Sequence, residues 1–196
     1  MAAVLNTDTL SNDCLGVVLA GGLSSRMGCN KAQLLRDKQS TLSMLDFSKQ
    51  LLKNSGLSNI IVSGDNYDVP DQIKLGGPVG GILSVLSQYP KVKSLLILPV
   101  DLPLMTAKAL TDLRLKGELS NKATYFEGHN IPLYLPNSAY VEMFLATAFT
   151  QANQCVIGSK KGPSIKALLA QIPHQAIKSS NTSTLFNTNT PEQWQE

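Results

Sequence analysis

Residues 16–31, GVVLAGGLSSRMGCNK, contain the pattern from which the architecture follows. They open with an unbroken apolar run, residues 16–20, as expected of a central parallel strand that is covered on both faces. Glycines stand directly at the carboxyl end of this predicted strand, which is where open α/β sheets bind their ligands. The stretch therefore predicts a strand followed by a ligand-binding loop.

Short apolar runs alternate with longer stretches of helical period along the rest of the chain. This alternation indicates βαβ units and predicts an α/β fold, a three-layer, doubly wound and mostly parallel sheet. Ser40 or Thr41, Thr106 and Asn137 are the predicted N-caps of three helices. The further predicted strands are 59–63, 94–100, 123–126, 131–135, 175–178 and 185–187, and the predicted helices are 40–54, 79–88, 106–115, 137–149 and 164–171.

Composition limits the class of protein. A chain of 196 residues that is 43% hydrophobic and 16% charged fits one globular domain, which we expect at residues 14–196 behind a frayed polar tail, residues 1–13. The sequence has neither an apolar run of membrane-spanning length nor a secretory signal, so the prediction is a cytoplasmic protein that does not enter the membrane. The net charge of +3 is scattered, which gives no support for nucleic-acid binding.

The loop after the first strand has the composition of an anion cradle. Gly21, Gly22 and Gly28 allow the backbone to approach a phosphate closely, and Arg26 and Lys31 supply cationic donors to the same charge. It is not a Walker loop, because no glycine directly precedes Lys31. The residues therefore predict a triphosphate-binding loop, with an exposed glycine-rich turn as the alternative.

A single carboxylate, Asp101, follows the apolar run 94–100. Magnesium in proteins takes one or two carboxylates and completes its octahedron with water and phosphate oxygens, so an aspartate at a strand end beside a triphosphate suits Mg²⁺. The alternative is that Asp101 caps the next helix, but Thr106 stands at that cap position. We expect Asp101 to be the metal ligand.

The loop resembles the LAGG-x-S-x-RMG-x-x-K signature of the molybdenum cofactor guanylyltransferases, the MobA family. In that family LAGG marks the guanylyl members, whereas the related cytidylyltransferases usually carry LAAG, so Gly22 favours guanine. The resemblance implies the Rossmann-like fold of the nucleotide-diphospho-sugar transferases. It also implies nucleotide contacts from Leu19, Ala20, Gly21 and Gly22, and phosphate contacts from Arg26 and Lys31.

Residues 70–86, PDQIKLGGPVGGILSVL, resemble the family's aspartate followed by a G-P-x-x-G-x-x-S turn. The resemblance implies that Asp71 selects guanine. A carboxylate is apt because guanine presents its N1–H and its exocyclic amino group as two donors on one edge. A solvated turn residue is the alternative for Asp71.

The end of the chain, residues 185–194, LFNTNTPEQW, resembles the family's N-x-N-T-P-E ending, where the asparagines face the acceptor. Asn187 and Asn189 are two residues apart, so on an extended segment they point the same way. They are the predicted acceptor-binding pair.

The implied reaction transfers GMP from GTP to the terminal phosphate of molybdopterin, with Mg²⁺, and releases pyrophosphate. The implied partners are GTP, molybdopterin, and the proteins that deliver the cofactor and accept it. Two departures weaken the acceptor assignment: Ser63 stands where the family commonly has asparagine, and residues 116–130 differ from the acceptor-facing region. The alternatives are a same-fold transferase that uses CTP or another phosphorylated acceptor, and a non-catalytic protein that binds GTP or the cofactor. The sequence leaves open the oligomeric state, the delivering partner and whether the acceptor carries molybdate.

Overall fold

A computed structural model of the chain describes residues 14–21, 31–35, 42–150, 162–179 and 181–185. Strands and helices alternate through most of this part of the chain, as the hydrophobic pattern predicts. The strands are β1 (Cys14–Leu19), β2 (Ile60–Ser63), β3 (Ser94–Pro99), β4 (Ala123–Phe126), β5 (Leu133–Pro136) and β6 (His174–Ile177). The helices are α1 (Met44–Asn54), α2 (Gly77–Gln88), α3 (Ala107–Ser120), α4 (Ala139–Ala148) and α5 (Ile165–Leu169).

The described strands form one sheet in the order β2-β1-β3-β5-β4-β6. β1 pairs in parallel with β2 and with β3, and β4 pairs in parallel with β6. β5 is antiparallel to both of its neighbours, β3 and β4. The predicted mostly parallel sheet is confirmed, with β5 as the reversed strand.

Helices cover both faces of the sheet. Along β1, Leu15, Val17 and Leu19 pack into the core beside α2, α4 and α5, while Cys14 and Val18 pack into the core beside α1 and α3. This division follows from the pleat, because successive side chains of a strand point to opposite faces. A strand that is buried on both faces needs apolar residues at every position, which explains the unbroken run in β1 and confirms the three-layer architecture.

Two predicted N-caps are wrong. Ser43, rather than Ser40 or Thr41, caps α1, because Met44 N–H donates to the Leu34 carbonyl and Ser43 Oγ accepts from the backbone of Asp46. Asn137 does not cap α4, whose N-cap is Ser138. The Asn137 amide instead donates to the carbonyls of the segment before β3, at Pro90 and Val92.

The prediction for the third helix is correct at its start and too short at its end. Thr106 caps α3 as expected, since its hydroxyl accepts from Ala109 N–H. The helix continues past residue 115 and through Gly117, against which the ring of Tyr134 packs so closely that a side chain there would overlap the ring. Gly117 is therefore a packing site inside the helix.

The predicted strand 185–187 is wrong at Leu185, which ends a short 3-10 helix, Thr182–Leu185. Residues 186–187 and the predicted N-terminal tail, residues 1–13, lie outside the described residues. Among the helices that the structure describes, none combines the length and apolar character that a membrane span requires.

Candidate active site

The candidate site lies at the carboxyl ends of three adjacent parallel strands. Leu19 at the end of β1 is in register with Ser63 of β2 on one side and with Pro99 of β3 on the other. Neighbouring strands lie about 4.7–4.9 Å apart, so the segments that leave them begin side by side. The Gly21 segment, the loop after β2 and Asp101 therefore leave the sheet at the same edge.

The chain that leaves β1 remains attached to the end of β2. The amides of Ala20 and Gly21 both donate to the Ser63 carbonyl, at 2.9 and 3.0 Å. Gly64 follows with a φ of +150°, and a Cβ built on it would lie 2.8 Å from Gly21 N. Only a glycine at position 64 allows the two backbones to approach this closely. The start of the predicted phosphate-binding loop is thus held by backbone contacts.

Asp71 lies against the same point of the chain. A Cβ built on Gly21 would be 2.8 Å from Asp71 Oδ2 and 3.3 Å from Gly64 Cα. Burial, and secondarily the negative charge of Asp65, raises the pKa of the Asp71 carboxyl above its ordinary value of 3.8. The structure therefore brings the predicted guanine-selecting residue to Gly21, the first glycine of the loop.

The Ser63 hydroxyl lies in the same cluster. Its side chain is 1% exposed, and its Oγ has no hydrogen-bond partner among the described residues. A Cβ built on Gly81 would be 3.0 Å from Ser63 Oγ and 3.9 Å from Asp71 Oδ1. Because an unpaired buried hydroxyl is costly, we predict that this oxygen bonds to a ligand or to a water at the site.

Asp101 lies beyond the end of β3, two residues after Pro99, and its Oδ1 is buried. The cap position of α3 is filled by Thr106, so the alternative interpretation of Asp101 as that cap is not needed. Asp101 lies on the edge of the sheet where the Gly21 segment leaves β1, and a carboxylate is the donor type that Mg²⁺ prefers. Its position fits the predicted metal site.

Several predicted site residues lie outside the described residues. These are Gly22, Arg26, Asn187 and Asn189, together with the side chain of Lys31, whose backbone begins a 3-10 helix, Lys31–Gln33. The predicted phosphate and acceptor contacts from these side chains stay predictions.

Sequence reasoning misses the part that Gly64 has in the site, and for Ser84 it gives only a place in the family pattern. Gly64 follows β2 directly, and a glycine after an apolar run was an available signal for a close backbone approach. Ser84 hydrogen-bonds the backbone next to Asp71, at Gln72 N, over a distance of 3.0 Å. Ser84 is the serine of the G-P-x-x-G-x-x-S pattern in residues 70–86, but the pattern does not indicate which group its hydroxyl binds.

Comparison with known proteins shows the family of the chain. Residues 16–171 match the family model described as the MobA-like NTP transferase domain. The chain belongs to the MobA-like NTP transferase family. The match extends from β1 to the segment after α5 and so includes all of the strand ends described above, as well as Asp71 and Asp101. The chain is accordingly a nucleotidyltransferase.

Individual relatives agree with this assignment. A molybdenum cofactor guanylyltransferase from Xanthomonas euvesicatoria pv. vesicatoria is 31% identical over 191 residues, which is 95% of each chain. The crystal structure of molybdopterin-guanine dinucleotide biosynthesis protein A from Archaeoglobus fulgidus has a TM-score of 0.60 at 18% identity, over 91% of this chain and 94% of that one. The Rv0371c complex with manganese from Mycobacterium tuberculosis has a TM-score of 0.50 at 16% identity, over 85% and 89%. At these identities the two structures confirm the fold.

The contact between Gly21 and Asp71 gives a first testable prediction. In Gly21→Ala the new methyl group would lie closer to Asp71 Oδ2 than van der Waals contact allows, so the carboxylate or the backbone must move. We expect nucleoside triphosphate affinity, measured by calorimetric titration with GTP, CTP and ATP in turn, to fall about tenfold for the preferred nucleotide.

Gly80→Ala is the matched control. Among the described residues, the neighbour that a Cβ at Gly80 would approach is the Ile73 carbonyl, at 3.8 Å, and alanine is the better helix former. This variant should bind as the unmodified protein does. Equal affinities in both variants would show that the approach of Gly21 to Asp71 has no part in binding.

Proposed function

We propose that this protein transfers GMP from GTP to the terminal phosphate of molybdopterin, forming the guanine dinucleotide cofactor and releasing pyrophosphate. The observation that carries the proposal is the position of the Asp71 carboxylate against Gly21, at the start of the loop with the LAGG sequence. The 31% identical relative over 95% of the chain is named a molybdenum cofactor guanylyltransferase, which supports the same substrate pair.

Asp71 would recognise the base. Its two carboxylate oxygens can accept the N1–H and the exocyclic amino group of guanine, a pair of donors that neither cytosine nor adenine presents. The carboxylate is partly buried, so its hydrogen bonds face less competition from water. Ser63 Oγ, which has no partner in the described part of the chain, adds a second polar group beside it.

The phosphates would be held by the loop. The amides of the loop beyond Gly21, with Arg26 and Lys31, would neutralise the triphosphate and stabilise the departing pyrophosphate. The acceptor needs no strong base, because a phosphate monoester has a second pKa near ~6 and is an anion at neutral pH. The work left to the protein is alignment of two anions, which Asn187 and Asn189 would assist by binding the acceptor.

Asp101 would hold a Mg²⁺ ion. When bound, Mg²⁺ supplies the positive charge that draws the α-phosphate and the attacking phosphate together. The metal is proposed from the carboxylate's place at the end of β3, and the manganese in the Rv0371c complex supports a divalent cation in this fold. The function of Asp101 is to fix the position of that charge relative to the loop.

Nucleotide choice can be tested by thermal shift. At a concentration of 100 times Kd, a ligand that binds only the native state stabilises it by about 2.7 kcal/mol, which is about 5–10 °C for a chain of this length. We expect GTP with Mg²⁺ to give a rise of this size and CTP and ATP to give a much smaller one. Equal rises with all three nucleotides would refute guanine selection.

Acceptor choice needs a turnover assay. The protein is incubated with GTP, Mg²⁺ and purified molybdopterin, and pyrophosphate and dinucleotide are both measured. Product that forms only with molybdopterin and GTP supports the proposal, and product with CTP would indicate the cytidylyl alternative. GTP binding with no pyrophosphate release in the presence of molybdopterin would indicate the non-catalytic alternative.

A further inference from the structure

Ser84, on the buried side of α2, makes two hydrogen bonds with different consequences. Its side chain is 0% exposed, and its hydroxyl donates to the Gly80 carbonyl one turn earlier, at 3.0 Å. This first bond is the ordinary return of a serine to its own helix. The same oxygen accepts the backbone N–H of Gln72 at 3.0 Å, twelve residues away in the sequence. The second bond joins the helix to the loop that carries Asp71.

The bond to Gln72 fixes the peptide plane that directly follows Asp71. Peptide groups are planar, so holding the N–H of residue 72 also orients the carbonyl carbon and the Cα of residue 71. On the other side of Asp71, Val69 is held by a backbone pair: its N–H donates to Val62 O, and its carbonyl accepts from Gly64 N–H. Asp71 is therefore anchored on both sides.

Anchoring matters at this position because the carboxylate is in unfavourable surroundings. Burial and the charge of Asp65 both raise the pKa of Asp71, which means that its ionised form is less stable here than in water. A loop that was free to move would turn the charge toward solvent. The restraint at Gln72 opposes that movement and keeps the carboxylate against Gly21.

We propose that Ser84 is the positioning residue for Asp71, and that through its bond to Gln72 it sets the selectivity for the exocyclic amino group of the base. The inference rests on the proposed function, since it takes Asp71 to be the group that recognises guanine. Ser84 is fully buried and bonds the backbone at Gln72 and Gly80, so we expect it to affect nucleotide recognition and not the chemical step.

The experiment compares GTP with ITP, which lacks the exocyclic amino group. For each variant, KM and kcat are measured for both nucleotides with molybdopterin saturating, and Kd is measured by calorimetry. In Ser84→Ala we expect the preference for GTP over ITP to fall about fivefold, the effect of losing one ordinary hydrogen bond. The change should be in KM, with kcat for GTP nearly unchanged.

Ser87→Ala is the matched control. Ser87 lies on the same helix and donates to the Leu83 carbonyl in the same way, but it is exposed and its hydrogen bond stays within the helix. Its alanine variant should keep the wild-type preference. Ser84→Cys is nearly isosteric, and its thiol is a weak hydrogen-bond acceptor, so it should also lower the preference for GTP over ITP. This variant replaces Ser84→Ala in the test if Ser84→Ala fails to fold.

The outcomes separate this inference from the proposed function. If Asp71→Asn leaves the GTP over ITP preference intact, Asp71 does not recognise the amino group and the base assignment itself fails. If Asp71→Asn removes the preference while Ser84→Ala and Ser84→Cys keep it, the role of Ser84 is refuted. A Ser84→Ala variant that loses GTP and ITP affinity equally, with a lower Tm, would also refute it, because that is the result of a merely structural role.

Discussion

Asp101→Ala is expected to reduce the rate of pyrophosphate release by about 10³-fold, the size of effect seen when one preorganised electrostatic group is removed from a transition state. The physical reason is that Asp101, beyond the end of β3, is the described carboxylate proposed to hold the metal beside the loop. Its loss should leave the nucleotide without a fixed counter-charge. Pyrophosphate is measured with GTP, Mg²⁺ and molybdopterin at saturating concentrations.

The control for this prediction is Asp112→Ala. Asp112 lies on α3, 39% exposed, in an i,i+4 ion pair with Lys108. Exposed pairs of this kind contribute about 0–1 kcal/mol to stability, so the control variant should keep both its fold and its rate.

A second measurement shows whether Asp101 acts through the metal. In the unmodified protein, adding Mg²⁺ should raise GTP affinity, and in Asp101→Ala this increase should be lost. Wild-type pyrophosphate release by Asp101→Ala would contradict the metal assignment, whatever its effect on binding.

The arrangement of the sheet could be predicted because the residue pattern of each strand indicates whether one or both of its faces are buried. An unbroken apolar run such as residues 16–20 suits only a strand with both faces covered, and parallel strands place their carboxyl ends at one edge. It follows from these two facts that the Gly21 segment and Asp101 leave the sheet at the same edge, and the register of Leu19 with Pro99 confirms that their strands end together.

Helix ends were predicted less well because they depend on contacts from distant parts of the chain. Thr106 caps α3 as expected, since that bond is local. Asn137 is a residue type that often caps helices, but its side-chain amide donates to the carbonyls of Pro90 and Val92. The spacing of residues in the sequence does not indicate that contact. α3 also continues through Gly117, where the ring of Tyr134 fills the space that a side chain would need.

The same difference between local contacts and contacts from distant parts of the chain applies to the candidate site. Asp71 was singled out by a family pattern, and its contact with Gly21 depends on the loop after β2, held by Gly64 and Val69. The hydrogen bond from Gln72 to Ser84 could not be foreseen, because it requires the tertiary position of α2 relative to that loop. The sequence therefore predicts which side chain recognises the base, but it does not predict the tertiary contacts that hold that side chain in position.

Asp71→Asn is expected to lower GTP affinity by about 100-fold and at the same time to stabilise the nucleotide-free protein near neutral pH. Affinity falls because an amide replaces one acceptor oxygen by a donor, which would face the donors of guanine. Stability rises because burial raises the pKa of Asp71, which means that the ionised carboxylate destabilises the folded protein near neutral pH. The uncharged asparagine side chain removes that destabilisation. Calorimetric titration gives the affinity, and a thermal melt without nucleotide gives the Tm.

The pH dependence follows with a definite sign. Because the folded-state pKa of Asp71 lies above the ordinary 3.8, the stability linked to its protonation is fully present below the unfolded pKa and is lost as pH rises through the folded pKa. GTP binding has the opposite dependence, since the ionised carboxylate accepts the bonds from guanine. Affinity should therefore fall as pH decreases through the folded pKa, and this acid limb should be absent in Asp71→Asn.

Asp65→Asn separates charge from position. Asp65 is exposed, and its negative charge contributes to raising the pKa of Asp71. Removing that charge should move the acid limb of GTP binding to lower pH while leaving affinity at neutral pH nearly unchanged. If the acid limb stays where it is in Asp65→Asn and persists in Asp71→Asn, the group that titrates is not Asp71, and guanine recognition by this carboxylate is contradicted. If instead the limb is lost in Asp71→Asn and kept in Asp65→Asn, the partly buried carboxylate beside Gly21 is the group that binds the base. The lower stability that its ionised form gives the nucleotide-free protein is then a consequence of that role.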